Sequence, residues 1–166
     1  MSLVDTIKNI ITPGMTVLDV GSGDFEYALA LQELGCHVTA LDIQQPESIP
    51  SGITFIQGDI VSHEPTTTYD VIFMSFVVNF LDKKMLTEII LPRYKNAKVI
   101  AIRTFSAPPE PFDDRKKITT YTTDDFQNLP WKQTVLKTWD EIYPSSDGVE
   151  RLWHLLDYVG VSHSME

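Results

Sequence analysis

TVLDVGSGDFEYALALQELGCHVTALDI, residues 16–43, is the stretch that decides the fold. An apolar run leads into two glycines, Gly21 and Gly23, and apolar residues at helical spacing follow them. A second apolar run, residues 37–41, ends at Asp42. The pattern predicts a strand buried on both faces, a glycine turn, an amphipathic helix and a second strand.

The glycines and the acid predict a nucleotide-binding edge. Gly21 and Gly23 allow a tight turn and let backbone N–H groups approach a ligand. Asp42 lies beside this turn if the two strands are parallel neighbours, where an acid can accept both hydroxyls of a ribose. Asp24 is the expected N-cap of the following helix.

The spacing of the glycines distinguishes between classes of nucleotide. In a dinucleotide-binding G-x-G-x-x-G motif that starts at Gly21, the last glycine is replaced by Glu26, which would crowd and repel a pyrophosphate. The arrangement D-x-G-x-G, which starts at Asp19, resembles motif I of the class I S-adenosylmethionine-dependent methyltransferases. A further glycine that is usual in that family falls at Phe25, so we expect a tighter turn and a large ring near the cofactor's methionine end. A glycine turn of another α/β domain is the alternative.

The rest of the chain predicts a sheet that ends in a hairpin. Further strands are expected at residues 53–56, 69–76, 98–102, 133–143 and 149–158, with turn residues at 144–148. Helices are expected at 3–11, 83–94 and 123–129, the last capped by Thr123 or Asp124, whereas the proline-containing segments 44–52 and 106–114 favour loops. With the resemblance, this predicts one domain over residues 1–166. We expect an α/β, three-layer Rossmann-like sandwich with a mostly parallel seven-stranded sheet, order 3-2-1-4-5-7-6, and an antiparallel terminal hairpin.

The resemblance implies a set of site residues. The implied cofactor-binding residues are Asp19, Gly21, Ser22, Gly23, Asp42, Ile43, Asp59, Ile60 and Ser75. Asp59 would accept the adenine amino group, with an ordinary acid in a strand-ending turn as the alternative. Substrate-binding candidates are Tyr27, Phe76, Asn79 and Arg103, with packing, helix capping or an ion pair as the alternatives. Asp70, at the start of its strand, is expected to be a structural cap.

The amino-acid composition limits the classes of partner and ligand that are expected. The 166 residues include 13 Lys and Arg against 23 Asp and Glu, a net charge of −10. Such a charge repels phosphate backbones and anionic membranes, so we expect a small-molecule substrate and neither a nucleic-acid nor a membrane partner. No apolar run approaches the ~20 residues of a membrane span and no signal-peptide pattern opens the chain, so a soluble, cytoplasmic protein is expected. Cys36 is the single cysteine, and the four histidines lack metal-ligand spacing, so neither an internal disulfide nor a metal is predicted.

These features predict an S-adenosylmethionine-dependent methyltransferase with a small-molecule acceptor. Because a sulfonium donor is already activated, alignment can supply most of the acceleration, and no catalytic residue is assigned. Within the family, the chain is similar to small single-domain members such as the tellurite-resistance-type methyltransferases. The short segment before the first strand and the helix-free second crossover predict an open cleft, unless loop 106–117, a second copy or a partner chain closes it. The alternatives are a cofactor-binding interaction module without turnover and a nicotinamide-dependent oxidoreductase.

Overall fold

The computed structural model describes residues 1–111, 117–145 and 147–165, and these include a sheet of seven strands in the order β3-β2-β1-β4-β5-β7-β6. The strands are β1 (Thr16–Val20), β2 (His37–Asp42), β3 (Thr54–Gln57), β4 (Val71–Ser75), β5 (Val99–Glu110), β6 (Lys132–Pro144) and β7 (Glu150–Val161). The α-helices are α1 (Leu3–Ile7), α2 (Glu26–Glu33) and α3 (Leu91–Arg93). A π-helix spans Met85–Ile90, and 3₁₀ turns span Val78–Phe80, Thr123–Phe126 and His163–Met165. None of the described helices is long and apolar enough to cross a membrane.

Strands β1 to β5 are parallel, and β1 lies between β2 and β4. The apolar run of β1 is buried from Val17 onward because helices cover both faces of this part of the sheet. The chain order reverses between β1 and β4, which opens a crevice at the carboxyl ends of these strands. The predicted fold class and strand order are confirmed.

The last two strands form the predicted antiparallel hairpin, with β7 inserted between β5 and β6. The strands are longer than predicted, and β5 continues to Glu110 through a segment that proline content predicts to be irregular. Register shifts after Phe105 and Ala107 let β5 keep its partner β7 while the prolines interrupt regular pairing. Residues 112–116, within the predicted cleft-closing loop 106–117, and residue 146 of the hairpin turn lie outside the described residues.

The helices correct several predicted boundaries. Helix α1 ends at Ile7 instead of residue 11, and a capping box of Ser2 and Asp5 starts it. The helix predicted over 83–94 forms as one uninterrupted run of helical residues from 83 to 93, in which the π-helix Met85–Ile90 leads directly into α3. Pro92 in α3 has no N–H with which to continue an α-helical ladder, which fits the departure of this run from a regular α-helix. The cap of the turn Thr123–Phe126 is Thr122, because its side chain and that of Asp125 form a reciprocal capping box.

The alternation of side chains along β1 divides its residues between two layers. Val17 packs with α1 and α2 on one face of the sheet, which we call the α1/α2 face, and Leu18 and Val20 pack with the π-helix on the other. Asp19 therefore points to the α1/α2 face, at the end of β1 that meets the glycine turn.

Candidate functional site

A cleft of about 600 Å³ lies at the carboxyl ends of β1 to β4. The glycine turn, the segments that follow β2 and β3, and the segment between β4 and the π-helix form its walls. The lining residues are Val20, Gly21, Leu41, Asp42, Ile43, Gln44, Gly58, Asp59, Ile60, Val61, Ser75, Phe76, Val77, Phe80, Leu81, Asp82 and Met85. This is the edge of an open α/β sheet at which ligands bind.

The glycine turn is held to the end of β2 by its own amides. The N–H of Gly21 donates to the Leu41 carbonyl at 2.7 Å, and the N–H of Ser22 contacts the same oxygen at 3.4 Å. The N–H of Gly23 donates to Asp42 Oδ2 at 2.9 Å. Each of these N–H groups therefore already has a partner within the protein, and their approach to a ligand stays a prediction.

Gly21 is required by both conformation and space. Its φ of +70° favours glycine, and a Cβ built on it would overlap Cγ2 of Val77. Gly23 also has a positive φ, of +50°, but a Cβ there would meet nothing within 4 Å. The turn and the segment after β4 thus meet at Gly21, whereas Gly23 needs glycine for its backbone conformation alone.

Phe25 packs into the core instead of facing the cleft. It is the N-cap of α2 with φ +67°, its side chain makes no capping bond, and its exposure is 4%. Its ring lies edge-on to Phe55 of β3, 6.0 Å between centroids. Among the described residues, Asp24, the predicted cap, accepts only the Glu26 N–H, at 3.3 Å. The predicted cap is wrong, because Phe25 and not Asp24 is the N-cap of α2. The Phe25 ring is buried in the α1/α2 layer, and its position near a cofactor's methionine end stays a prediction.

The cleft is acidic. Asp42, Asp59 and Asp82 contribute carboxylates, and the described lining includes no Lys or Arg. Asp42 also accepts the Gln44 N–H through Oδ1 at 2.9 Å, and Asp59 accepts the Val61 N–H through Oδ1 at 2.9 Å. These bonds fix the carboxyl groups in place, and lone pairs remain on each because an ionised carboxylate offers about four acceptor positions.

Behind the glycine turn lies a buried acid without a partner. Asp19 is 2% exposed, and its Oδ2 accepts no hydrogen bond within the described part of the chain. Burial, and secondarily the charge of Asp42, raises the pKa of the Asp19 carboxyl to about 7. The hydroxyls of Ser22 and Ser75 are likewise buried without a described partner. Such orphaned groups are costly unless a ligand satisfies them.

The structure gathers most of the predicted cofactor-binding residues at one place. Those that line the cleft are Gly21, Asp42, Ile43, Asp59, Ile60 and Ser75, while Asp19, Ser22 and Gly23 lie in β1 and the adjoining turn and are absent from the lining. Their roles toward a ligand stay predictions. Asp70, directly before β4, has the expected structural role: its carboxylate accepts the N–H of Thr16 at the start of β1 at 2.9 Å and pairs with Lys98 at 2.8 Å.

The substrate-binding candidates separate into two groups. Phe76 lines the cleft, with a strained φ of +57°. Tyr27 packs against Phe73 at 5.4 Å between ring centroids, and Asn79 is buried in the 3₁₀ turn, where its Oδ1 has no partner among the described residues. Arg103 is an internal residue of β5 that does not reach the cleft.

Arg103 forms a buried ion pair. Its Nε and Nη2 donate to the two oxygens of Asp157 at 2.7 and 2.8 Å, with 6% and 0% of the two side chains exposed. Its guanidinium also lies 4.9 Å from the Trp139 ring centroid. The assignment of Arg103 to substrate binding is not supported, because Asp157 already satisfies its charge and geometry.

Sequence reasoning missed part of the wall that follows β4, namely Leu81 and Met85. Both line the cleft beside Phe80, whose side chain could be expected to form a wall and is 73% exposed. The sequence contained an indication of this wall, because the mostly apolar run that contains β4 continues beyond the end of the strand to Leu81.

The raised pKa of Asp19 predicts a pH dependence of stability. Between the ordinary carboxyl pKa of 3.8 and about 7, the folded state holds a proton that the unfolded state has lost, so the free energy of unfolding falls as pH rises through this window. Asp19→Asn should remove this fall and make the protein more stable than the native one at pH 8. Urea unfolding from pH 5 to 8 measures it, with exposed Asp24→Asn as the control. Parallel profiles for Asp19→Asn and the native protein would contradict the assignment.

Comparison with known proteins agrees with this architecture. A family model described as "Methyltransferase domain" matches residues 18–90. The fold is similar to that of TehB from Haemophilus influenzae, with TM-score 0.73 and 17% identity over 96% of this chain and 61% of TehB. It is also similar to an S-adenosylmethionine-dependent methyltransferase from Methanosarcina mazei, with TM-score 0.69 and 13% identity over 98% of this chain and 100% of the other.

A local similarity points to another class. Short-chain dehydrogenase/reductase family 42E member 1 of Macaca fascicularis is 51% identical over 49 residues, which are 27% of this chain and 12% of that protein. This match is too short to define a family. The family model over residues 18–90 and the seven-stranded topology both support the predicted resemblance to the class I S-adenosylmethionine-dependent methyltransferases.

Proposed function

We propose that the chain binds S-adenosylmethionine in the cleft and transfers its methyl group to a small-molecule acceptor. The observation that carries this proposal is the charge of the cleft: three carboxylates, Asp42, Asp59 and Asp82, and no cationic side chain among the described lining residues. A pyrophosphate would be repelled by this set, whereas a ligand with a sulfonium and an ammonium group would be attracted.

The cleft has acceptors where a nucleoside needs them. Asp42 keeps acceptor capacity beyond its bonds to Gly23 and Gln44, and this would serve the ribose hydroxyls. Asp59 Oδ2 accepts none of the described hydrogen bonds and would take the adenine amino group. Ile43 and Phe80, 65% and 73% exposed, are apolar side chains of the cleft lining that would cover an adenine ring and lose their exposure.

The buried polar groups without described partners would suit the methionine end of the cofactor. Asp19 lies at the glycine turn with an unpartnered oxygen, and a cationic group close by would stabilise its ionised form. Ser22 and Ser75 offer buried hydroxyls without described partners. When bound, the cofactor supplies an activated methyl group. The work of the chain's own residues is then to align the reactants and exclude water, and no general base is assigned.

Two rival functions have to be separated from methyl transfer. A nicotinamide-dependent oxidoreductase is favoured only by the 49-residue match to the dehydrogenase, and the acidic cleft opposes it. A cofactor-binding module without turnover would keep the same cleft.

The proposed partners are a small-molecule acceptor and neither nucleic acid nor a membrane, in keeping with the net charge of −10. A cytoplasmic location and closure of the cleft by a second copy or a partner chain belong to the same proposal.

Calorimetry and turnover test the function. S-adenosylhomocysteine should bind and NADH should not, and Asp42→Ala should weaken binding of S-adenosylhomocysteine by about 1–3 kcal/mol through the loss of hydrogen bonds to a charged group. Asp24→Ala removes a nearby exposed carboxylate that does not line the cleft and is the matched control.

Tighter binding of NADH, or an affinity unchanged by Asp42→Ala, would contradict the cofactor assignment. Formation of S-adenosylhomocysteine from S-adenosylmethionine with a panel of small acceptors then separates enzyme from module. Tight cofactor binding with no turnover on any acceptor would favour the module.

A pair of glycine variants tests the turn as part of the binding site. Gly21→Ala and Gly23→Ala both place Cβ on a residue with positive φ, but only the first overlaps Val77. We expect Gly21→Ala to weaken S-adenosylhomocysteine binding much more than Gly23→Ala, and Val77→Ala in the Gly21→Ala background to recover part of the loss. Equal affinities of the two single variants would show that the contact of the turn with Val77 does not shape the site.

A further inference from the structure

Four aromatic rings run from the cleft across the hairpin. Phe76 and Phe105 have ring centroids 5.0 Å apart, and Phe105 and Trp153 are stacked at 5.2 Å. Trp153 and Tyr143 are stacked at 4.9 Å with an angle of 7° between their planes. We call these four residues the aromatic stack.

Three adjacent strands build the stack. Phe105 belongs to β5, Trp153 to the neighbouring β7 and Tyr143 to the edge strand β6. In the strand register Trp153 lies opposite Glu141, so Trp153 and Tyr143 are diagonal neighbours on one face. The Trp153 indole N–H donates to the Tyr143 carbonyl oxygen at 3.0 Å, which fixes the orientation of the indole.

The stack lies beyond the part of the sheet that the parallel strands share. Ser75, the last residue of β4, pairs with Arg103, so β5 continues past this point without β4 beside it. Phe105 is 8% exposed, but Phe76, Tyr143 and Trp153 keep partly exposed side chains. Stacked rings that keep exposed area beside a cleft are typical of a binding surface.

Phe76 connects the stack to the cleft. It lines the cleft directly after Ser75, and its N–H donates to the Arg103 carbonyl at 2.9 Å. A φ of +57° is strained for phenylalanine, and strain of this kind is retained mainly at functional sites. The same ring thus borders both the proposed cofactor site and the aromatic stack.

We propose that the methyl acceptor is a planar aromatic or heteroaromatic molecule whose ring packs against Phe76 and the aromatic stack. This rests on the proposed methyl transfer. An acceptor hydroxyl, amine or thiol supplies the lone pair that forms the new bond to the methyl carbon. The bond from sulfur to that carbon breaks with its electrons passing to sulfur, and the proton of the acceptor passes to water.

Charge argues against a small inorganic anion as the acceptor. The carboxylates of Asp42, Asp59 and Asp82 repel an oxyanion. Arg103 lies in β5 next to the end of β4, but its charge is neutralised by the ion pair with Asp157. Stacking on an aromatic surface, by contrast, needs no cation.

A matched pair of probes tests the acceptor class. 2-Naphthol and decahydro-2-naphthol share a carbon skeleton and a hydroxyl, but only the first is planar and aromatic. Calorimetric titrations of each into the full chain, without and with saturating S-adenosylhomocysteine, should show 2-naphthol binding at least several-fold more tightly. Trp153→Leu should weaken 2-naphthol binding about three- to tenfold, the range expected for one aromatic pair, and Trp153→Phe should restore most of it. Ile142→Ala alters an exposed residue of β6 on the opposite face from Tyr143 and should change neither ligand's affinity.

The outcomes separate the inference from the proposed function. Equal affinities for the two probes, or a Trp153→Leu variant that binds 2-naphthol as the native chain does, overturn the aromatic site even where S-adenosylhomocysteine binds. Binding of 2-naphthol that depends on Trp153, together with no binding of S-adenosylhomocysteine, supports an aromatic site and overturns the methyl-transfer function. Tighter binding of tellurite than of 2-naphthol would replace the aromatic acceptor with an oxyanion.

Discussion

The hydrogen bond from the Gly23 amide to the Asp42 carboxylate is the contact on which the site depends. It joins the turn after β1 to the end of β2, and the bond from Gly21 to the Leu41 carbonyl reinforces it. Because both strands are parallel neighbours, their ends meet at one edge, and the turn is held against the acid that the sequence places there. At Gly21 the same turn lies against the cleft wall, since the Val77 side chain occupies the space where a Cβ of Gly21 would lie.

The electrostatics of the site follow from the same arrangement. Asp42 is fixed close to Asp19, so the buried Asp19 carboxyl experiences both desolvation and a neighbouring negative charge, and its pKa rises. An edge with this many acids is poorly suited to phosphates and well suited to a cationic or neutral ligand. Burial of the Asp19 carboxyl without a described partner lowers the stability of the folded chain, and this cost fits the proposed role of Asp19 toward the cofactor.

Sequence patterns predicted the fold and the position of the site because both depend on local signals. The apolar runs, the glycine turn and the acid at the end of β2 are each contained in a few residues, and parallel pairing then brings them together. The direction of Phe25 was not predictable in this way, because its burial against Phe55 depends on a left-handed backbone and on a strand thirty residues away. The partner of Arg103 also depends on a long-range register, since Asp157 comes to lie opposite it only after β7 enters the sheet between β5 and β6. The continuation of β5 to Glu110 has the same cause, because pairing with β7 overrides the local effect of proline.

A crystal structure with S-adenosylhomocysteine tests the central claim most directly. The account predicts the ribose hydroxyls on the Asp42 carboxylate, the adenine beside Asp59 between Ile43 and Phe80, and the amino group of the homocysteine moiety near Asp19. The Gly23 to Asp42 hydrogen bond should persist in the complex, because the turn is already formed without the ligand. A ligand bound elsewhere on the chain, or bound in the cleft without contact to Asp42, would contradict the account.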